Sequence, residues 1–425
     1  MEAGVDIVAQ LVKRHMNSIA EGILLNLDSI SLKNCEAVSK TWYLVVRNGN
    51  LWKQFYSSVS KENPLLQTLL QRRELETTHQ TDSDEFLFKR LFSAQQNLNT
   101  NWNCGKFFTT KTTLGEVSVS IFVMDTKRFL FGLRSSPAVP SSIMVWNRWT
   151  LHPEHTLVGH QEWVTDLQIC GDLIFCSYYD GTVLVWDLDT KEVVQQFQDQ
   201  EVLDWVVIHA AHGLLVTCTS IASGPDANDR DTTITIRRIH SPTQMVVERQ
   251  EDIPCMKVCR LQSDSNYFVV FLTSTDEIKL QLRSADFHCL RQICDVIPPD
   301  VSFAYHSDRL VTGSSDGLIK IWDIESQTCE YTWTTQEKID ELRINSRHII
   351  TRNSNGKLTV WNLPGTTDCK DEEMAKGLFQ IKGEDVGIMD PSFAFDELQI
   401  LAVSVKDVSR TVSLSTLIVR DFMDQ

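Results

Sequence analysis

A short pattern recurs through the last three quarters of the chain and restricts its fold more than any other feature. Ser142-Ile-Met-Val-Trp146-Asn147, Thr182-Val-Leu-Val-Trp186-Asp187, Leu318-Ile-Lys-Ile-Trp322-Asp323 and Leu358-Thr-Val-Trp361-Asn362 are four copies of one string. Each is a run of apolar and β-branched residues closed by a tryptophan and a turn-forming Asp or Asn, which reads as a short strand. Trp146 and Trp186 stand 40 residues apart, and Trp322 and Trp361 stand 39 apart. A period near 40 is that of one four-stranded propeller blade.

The gap between Trp186 and Trp322 is 136 residues and has room for two further copies. Thr233-Ile-Thr-Ile-Arg237 and Glu277-Ile-Lys-Leu-Gln281 keep the strand and lose the tryptophan. Thr416-Leu-Ile-Val-Arg420-Asp421 ends the chain in the same way. Seven copies predict a seven-bladed β-propeller over 104–425, about 46 residues per blade. A single blade cannot bury both faces, and a closed ring of blades covers them while leaving only short edges. Gly159-His160, Asp180 and Trp186 are spaced as a hydrogen-bonded His–Asp–Trp set within one blade. Arg237, Gln281 and Arg420 are not expected to reproduce indole packing. Ile221 to Asp231, with Gly224-Pro225-Asp226, reads as an insertion in the third blade.

The N-terminal quarter has a helical period instead. Ile19, Ile23, Leu24 and Leu27 form one apolar stripe, and Leu32, Cys35, Val38 and Trp42 recur at steps of three and four as a second amphipathic helix. Asp28, Ser29 and Ser31 supply cap chemistry between them. Helices this short need each other to be stable. Residues 57–103 read as a helical spacer. Pro64 suits a helix start, Thr77 to Asp84 reads as a loop, and Phe86, Phe88, Leu91 and Phe92 resume an apolar face.

The stretch Ile19-Ala-Glu-Gly-Ile-Leu-Leu-Asn-Leu-Asp28, followed by Cys35-Glu-Ala-Val38-Ser-Lys-Thr-Trp42 and Leu51-Trp52-Lys53, resembles an F-box. Asn101-Trp102-Asn-Cys104-Gly105, Gly132-Leu133-Arg134 and Phe395-Asp396-Glu397-Leu398-Gln399-Ile400 continue the likeness in order. Together they resemble the beta-transducin-repeat-containing proteins, which join an F-box, a helical linker and seven WD repeats. The resemblance implies an α plus all-β chain: F-box at 15–56, linker at 57–103, propeller at 104–425. It further implies a non-catalytic substrate-recognition subunit of a Skp–cullin–F-box ubiquitin ligase. Ile19, Ile23, Leu24, Leu27, Leu32, Val38 and Trp42 would then face a Skp-type linker subunit or form the F-box core, and the propeller top would hold a protein substrate for proteasomal degradation.

The family's propeller reads a doubly phosphorylated Asp-Ser-Gly degron with a ring of arginines. One of these is matched here by Arg134, while the others fall at Asp276, Pro298, Asp340 and Met389, and a family tyrosine falls at Ser120. Carboxylates beside a phosphate repel it. The degron chemistry is therefore expected to be lost, with Arg352 or Lys406 the basic residues that could refill the mouth. A substrate offering a cation or an apolar anchor, gripped by Tyr179 and Trp163, fits the aligned residues better. Only about 15 residues precede the F-box, against a self-association segment in the family, so no homodimer is expected by that route.

Other functions find little support. A formal net charge of −16 disfavours nucleic acid and anionic membranes as partners. No apolar run is long enough to span a bilayer, and no signal peptide is evident, so cytoplasm, nucleus or both are expected. The 11 cysteines are scattered, with Cys255 and Cys259 the nearest to metal spacing, and they read as buried thiols. His152, His155 and His160 lack a fourth ligand, so no metal is expected. No phosphate-binding or nucleophile-elbow string is present, and neither an enzyme nor a cofactor is expected. The competing reading is a WD-repeat scaffold whose F-box no longer recruits a ligase.

Overall fold

The computed structural model describes residues 6–60, 63–76, 84–134, 140–198, 206–222, 230–254, 256–264, 266–274, 278–297, 301–307, 309–326, 328–364, 377–381, 393–409 and 412–423. It divides into a helical unit, Met1–Phe107 with Phe422–Gln425, and a propeller unit, Phe108–Asp421.

The helices are α1 (Ile7–Lys13), α2 (Asn17–Leu24), α3 (Ser29–Val38), α4 (Lys40–Asn48), α5 (Leu51–Val59), α6 (Pro64–Glu76) and α7 (Asp84–Cys104). The expected second amphipathic helix, Leu32 to Trp42, is two helices. Ser39 between them is extended, and its hydroxyl accepts the N–H of Trp42 at 3.3 Å as the cap of α4. Apolar spacing does not register a one-residue break of this kind; the serine does. Asp28 caps α3 by accepting from the Ser31 N–H at 2.7 Å. Helix α1 lies ahead of the expected helical zone, capped by Asp6.

Trp52 anchors the helical core. It is 2% exposed, donates its indole N–H to Glu36 at 2.8 Å and lies 5.8 Å from Phe92 of α7. Lys89 of α7 completes the charge on Glu36. At the end of α7 the Trp102 ring stacks on Phe422 at 3.8 Å and 8°, and the Asn101 amide donates to the Phe422 carbonyl at 2.8 Å.

The propeller begins with β1 (Phe108–Gly115). Blade one is β2–β5 (Val119–Met124, Arg128–Leu133, Ser141–Asn147, Pro153–His160) and blade two is β6–β9 (Val164–Cys170, Leu173–Tyr178, Thr182–Asp187, Val193–Gln198). Blade three is β10–β13 (Val206–Ala211, Leu214–Ala222, Arg230–Ser241, Gln244–Ile253) and blade four is β14–β17 (Lys257–Ser263, Tyr267–Thr273, Ile278–Ser284, Cys289–Ile297). Blade five is β18–β21 (Val301–His306, Arg309–Ser314, Leu318–Asp323, Thr328–Thr334) and blade six is β22–β25 (Glu341–Ile344, His348–Arg352, Leu358–Asn362, Phe379–Ile381). Blade seven has the order β26-β27-β28-β1, from β26 (Phe393–Phe395), β27 (Gln399–Ser409) and β28 (Val412–Asp421). All seven sheets are four-stranded and antiparallel, and the seven copies of the sequence pattern are their third strands. The first strand of the propeller thus closes its last blade, with Phe108 opposite Asp421 and Thr113 opposite Thr416. In blade three, Ile221 and Ala222 pair with Asp231 and Arg230, so the expected insertion begins as strand, and its tip lies outside the described residues.

Two expectations about the blades need correction. A bulge precedes Trp146, Trp186, Arg237, Arg283 and Trp322 on their third strands, so the tryptophan position of blade four belongs to Arg283 and not Gln281. Arginine also packs at that position better than expected. Arg237 is 3% exposed, lies 4.6 Å from the Phe197 ring centre and donates to the Thr217 hydroxyl at 3.0 Å. Trp322 and Trp361 donate to Thr312 and Thr351 in the same manner at 3.1 and 3.0 Å. The flat guanidinium stacks and donates as an indole does. Arg283 is buried over Phe287 and bonds Gln281 and Glu251, and Arg420 is likewise buried.

The His–Asp–Trp set of blade two forms only in part. His160 Nε2 and Asp180 Oδ2 are 2.9 Å apart, and Thr182 donates to the same carboxylate through both its hydroxyl and its N–H. The Trp186 Nε1 has no partner among the described residues. Cys176 stands where blades five and six have a threonine, so the acceptor is missing. Burial works to raise the Asp180 carboxyl, and the bonds from Thr182 and His160 outweigh it and hold it below the usual range. A Cβ on Gly159 would lie 2.4 Å from the Trp186 ring, which accounts for glycine there.

Candidate functional site

Two surfaces can act on partners, one in each unit. On the helical unit the seven residues of the expected docking face separate by burial. Leu24 and Leu32 are 1% and 0% exposed and belong to the interior. Ile19 and Ile23, one turn apart on α2, are 47% and 45% exposed, and Val38 at the end of α3 is 58% exposed. Leu27 and Trp42 are half-buried, and the Trp42 indole donates to Asp6 at 2.9 Å. Ile30, Tyr43 and Leu44 are further exposed apolar side chains on α3 and α4. Such side chains in water are a cost of folding that a partner can remove.

On the propeller, antiparallel order puts two kinds of connection on the same face: those that enter each innermost strand, and the hairpins between second and third strands. This face carries Arg134 after β3, Trp163 before β6, Tyr179 after β7, Asp340 before β22 and Arg352 at the end of β23. Trp163 and Tyr179 come together. They are 53% and 40% exposed, their ring centres are 6.5 Å apart at 53°, and the Tyr179 N–H donates to the Trp163 carbonyl at 2.9 Å.

The charges of the rim are mostly committed. Arg134 is half-buried, and its N–H donates to the Ser118 carbonyl at 2.9 Å. Asp340 is exposed and pairs with Lys338 at 3.3 Å. Arg352, offered by the sequence as a replacement cation, bonds Glu341 at 3.0 Å, and Arg343 bonds the same carboxylate at 3.0 Å. Ser120 donates to the Gly132 carbonyl at 3.0 Å. Asp276, Pro298, Met389, Cys255 and the side chains of Cys259 and Lys406 lie outside the described residues. A polar cleft of about 280 Å³ between blades five and six is lined by Thr335, Glu337, Lys338, Asn353, Lys357 and Gln380. Its Glu337 is taken up by Lys357 and by Asn353 at 2.9 Å. Sequence reasoning passed over Glu341, whose strand position gave no hint of two arginine partners, and Glu162, which immediately precedes Trp163.

No group of three or more metal-ligating side chains occurs among the described residues, and none of their helices is long and apolar enough to cross a membrane.

Residues 151–187 and 294–323 match the WD domain, G-beta repeat family. Over 167 residues, 36% of this chain, the sequence is 26% identical to a Danio rerio protein named F-box and WD repeat domain-containing 11-A, of which the match covers 29%. Over 174 residues, 39% of this chain, it is 25% identical to Pre-mRNA-processing factor 19 of Caenorhabditis elegans, of which the match covers 32%. The similarity thus spans less than a third of the first of these relatives and about a third of the second. Solved structures that it resembles include the computationally designed Ika8 protein, at 14% identity and TM-score 0.48 over 71% of this chain and 97% of that one. The C-terminal WD40 domain of Sif2 is similar at 12% identity and TM-score 0.46 over 70% of this chain and 80% of that one. With matched repeats on blades of a seven-bladed ring, the chain is a WD40 propeller protein.

Proposed function

We propose that this chain is the substrate-recognition subunit of a Skp–cullin–F-box ubiquitin ligase. The helical unit docks a Skp-type linker subunit, and the propeller rim holds the protein that other subunits modify. The observation that carries the reading is the exposure of Ile19, Ile23 and Val38 beside the burial of Leu24 and Leu32. A helical unit that packs its core on Leu24, Leu32 and Trp52 and leaves isoleucines and valine outside has apolar area to give to a partner. The F-box in the name of the Danio rerio relative supports it. In this reading the propeller's part is binding.

The test is co-purification with the linker and cullin subunits. Ile19→Asp, Ile23→Asp and Val38→Asp together are expected to abolish it while leaving the circular dichroism spectrum unchanged. Leu24→Asp is the control that disrupts the helical core and lowers the melting temperature. Undiminished capture of both subunits by the triple variant would overturn the reading. Absence of capture by the unaltered protein would favour a WD-repeat scaffold.

A further inference from the structure

We propose that Trp163 and Tyr179 read a cationic side chain, lysine or arginine, of the protein that the propeller rim binds. This rests on the rim being the substrate face and adds the chemistry of what it selects.

Both rings are open to solvent, at 53% and 40% exposure. Their backbones are tied together. The Tyr179 N–H bonds the Trp163 carbonyl at 2.9 Å, and the neighbouring Asp180 is held by His160 and Thr182. A cation is attracted to an aromatic face from within about 6 Å of its centre. The two centres are 6.5 Å apart, so one cation can lie within that range of both rings.

The surroundings decide between a cation and the other occupants. Residues 158–166 and 177–182, which bracket the two rings, contain no lysine or arginine. They do contain Glu162, which is exposed and makes no ion pair among the described residues. A phosphate would be repelled by that carboxylate, and these two segments offer it no cation. An apolar side chain would cover the rings and strip water from Glu162 without replacing it. A cation satisfies the ring faces and the carboxylate together. The net charge of −16 adds attraction at the encounter stage.

The experiment uses the full chain on an immobilised positional-scanning peptide library that includes phosphoserine. Four rim variants are compared with the unaltered protein: Trp163→Ala, Tyr179→Ala, Glu162→Gln and Arg134→Ala. Circular dichroism checks that each is folded. Enrichment of lysine or arginine at one peptide position is expected. Loss of either ring should reduce it about three- to five-fold. Glu162→Gln should reduce it by less. Apolar or phosphoserine enrichment, no enrichment, or a lysine and arginine preference indifferent to the three site variants each overturns the proposal. The rim reading is judged separately. Apolar enrichment that disappears in Trp163→Ala would sink the cation and keep the rim. Binding of any composition that no rim variant alters would sink both.

Discussion

The guanidinium of Arg148, in the turn between β4 and β5, donates to the Asp396 carboxylate of blade seven at 2.6 Å. The same side chain donates to Gln399 at 3.0 Å and to the Asp125 carbonyl at 2.9 Å, and it is 1% exposed. Gln399 in turn donates to Asp421 at 2.9 Å, opposite Phe108. The seam where the ring closes is thus held by backbone pairing of β1 with β28 and by a charge network next to it. Removing one partner of a buried pair leaves the other uncompensated.

Arg148→Ala should therefore cost about 3–5 kcal/mol of stability. Asp396→Asn should cost less, because Arg148 keeps its bonds to Gln399 and Asp125. Urea denaturation of the propeller measures both. A midpoint unchanged by Arg148→Ala would show that strand pairing alone closes the ring.

Blade two offers a gain. The Trp186 indole lacks the acceptor that Thr312 and Thr351 give Trp322 and Trp361, because Cys176 takes that place. Cys176→Thr should let the indole donate, at about the volume of the thiol, and add about 1 kcal/mol. Thr312→Cys should lose a similar amount. Thermal unfolding checks the pair of signs, and opposite shifts of similar size are the expected result.

Asp166, on the innermost strand of blade two, accepts the Ile208 N–H of blade three at 2.9 Å. Burial pushes its carboxyl up to about 6, against the pull of the Ile208 and Leu167 N–H groups and of Arg260. The folded protein then holds this proton more tightly than the unfolded chain, whose carboxyl titrates near 3.8. Its contribution to stability rises as pH falls from above about 6 towards 3.8, and is at its worst above the folded value. Asp166→Asn keeps an acceptor and removes the charge. Melting temperatures measured from pH 4.5 to 7.5 should show a shallower pH slope in the variant. Near neutral pH it should be more stable by on the order of 1 kcal/mol, since the residue as a whole is half-buried. Parallel curves would place the pH dependence elsewhere.

How far these features were legible in the sequence depended on whether one residue or a pair carried the signal. The third strand of every blade could be read, because alternation and a closing Trp or Arg are local. Ring closure by β1 could not, since Phe108–Gly115 carries no trace of its partner 300 residues away. Gln281 was misplaced because the strand runs on through Leu282, with Gln281 still inside it, so the closing position lies two residues later at Arg283. On α2 and α3 the stripe found the right residues but not their division. Ile23 and Leu24 are neighbours in sequence, and only packing sends one inward and the other out. Trp163 and Tyr179 were named together as a grip on substrate, but the 6.5 Å between their rings needed the pairing of β6 with β7.

The last prediction concerns the doubly phosphorylated Asp-Ser-Gly peptide that the resembling family reads. Each phosphoserine brings a charge of about −1.5 to −2, which needs several well-placed donors in place of water. Arg134 is one such donor on the rim. Arg352, the sequence's substitute, already shares Glu341 with Arg343, and freeing it would leave that largely buried carboxylate short of a partner. Asp340 and Glu162 add negative charge on the same face. Each charge-assisted bond is worth roughly 1.5–3 kcal/mol, so the lack of three or four amounts to most of a micromolar affinity. Titration of a fluorescent diphosphorylated peptide should give millimolar binding or none, with Arg134→Ala changing it little. Glu341→Gln should strengthen binding modestly by releasing Arg352 and Arg343 towards the peptide. Submicromolar binding by the unaltered protein, lost with the unphosphorylated peptide, would mean that the rim has rebuilt a phosphate site from other cations.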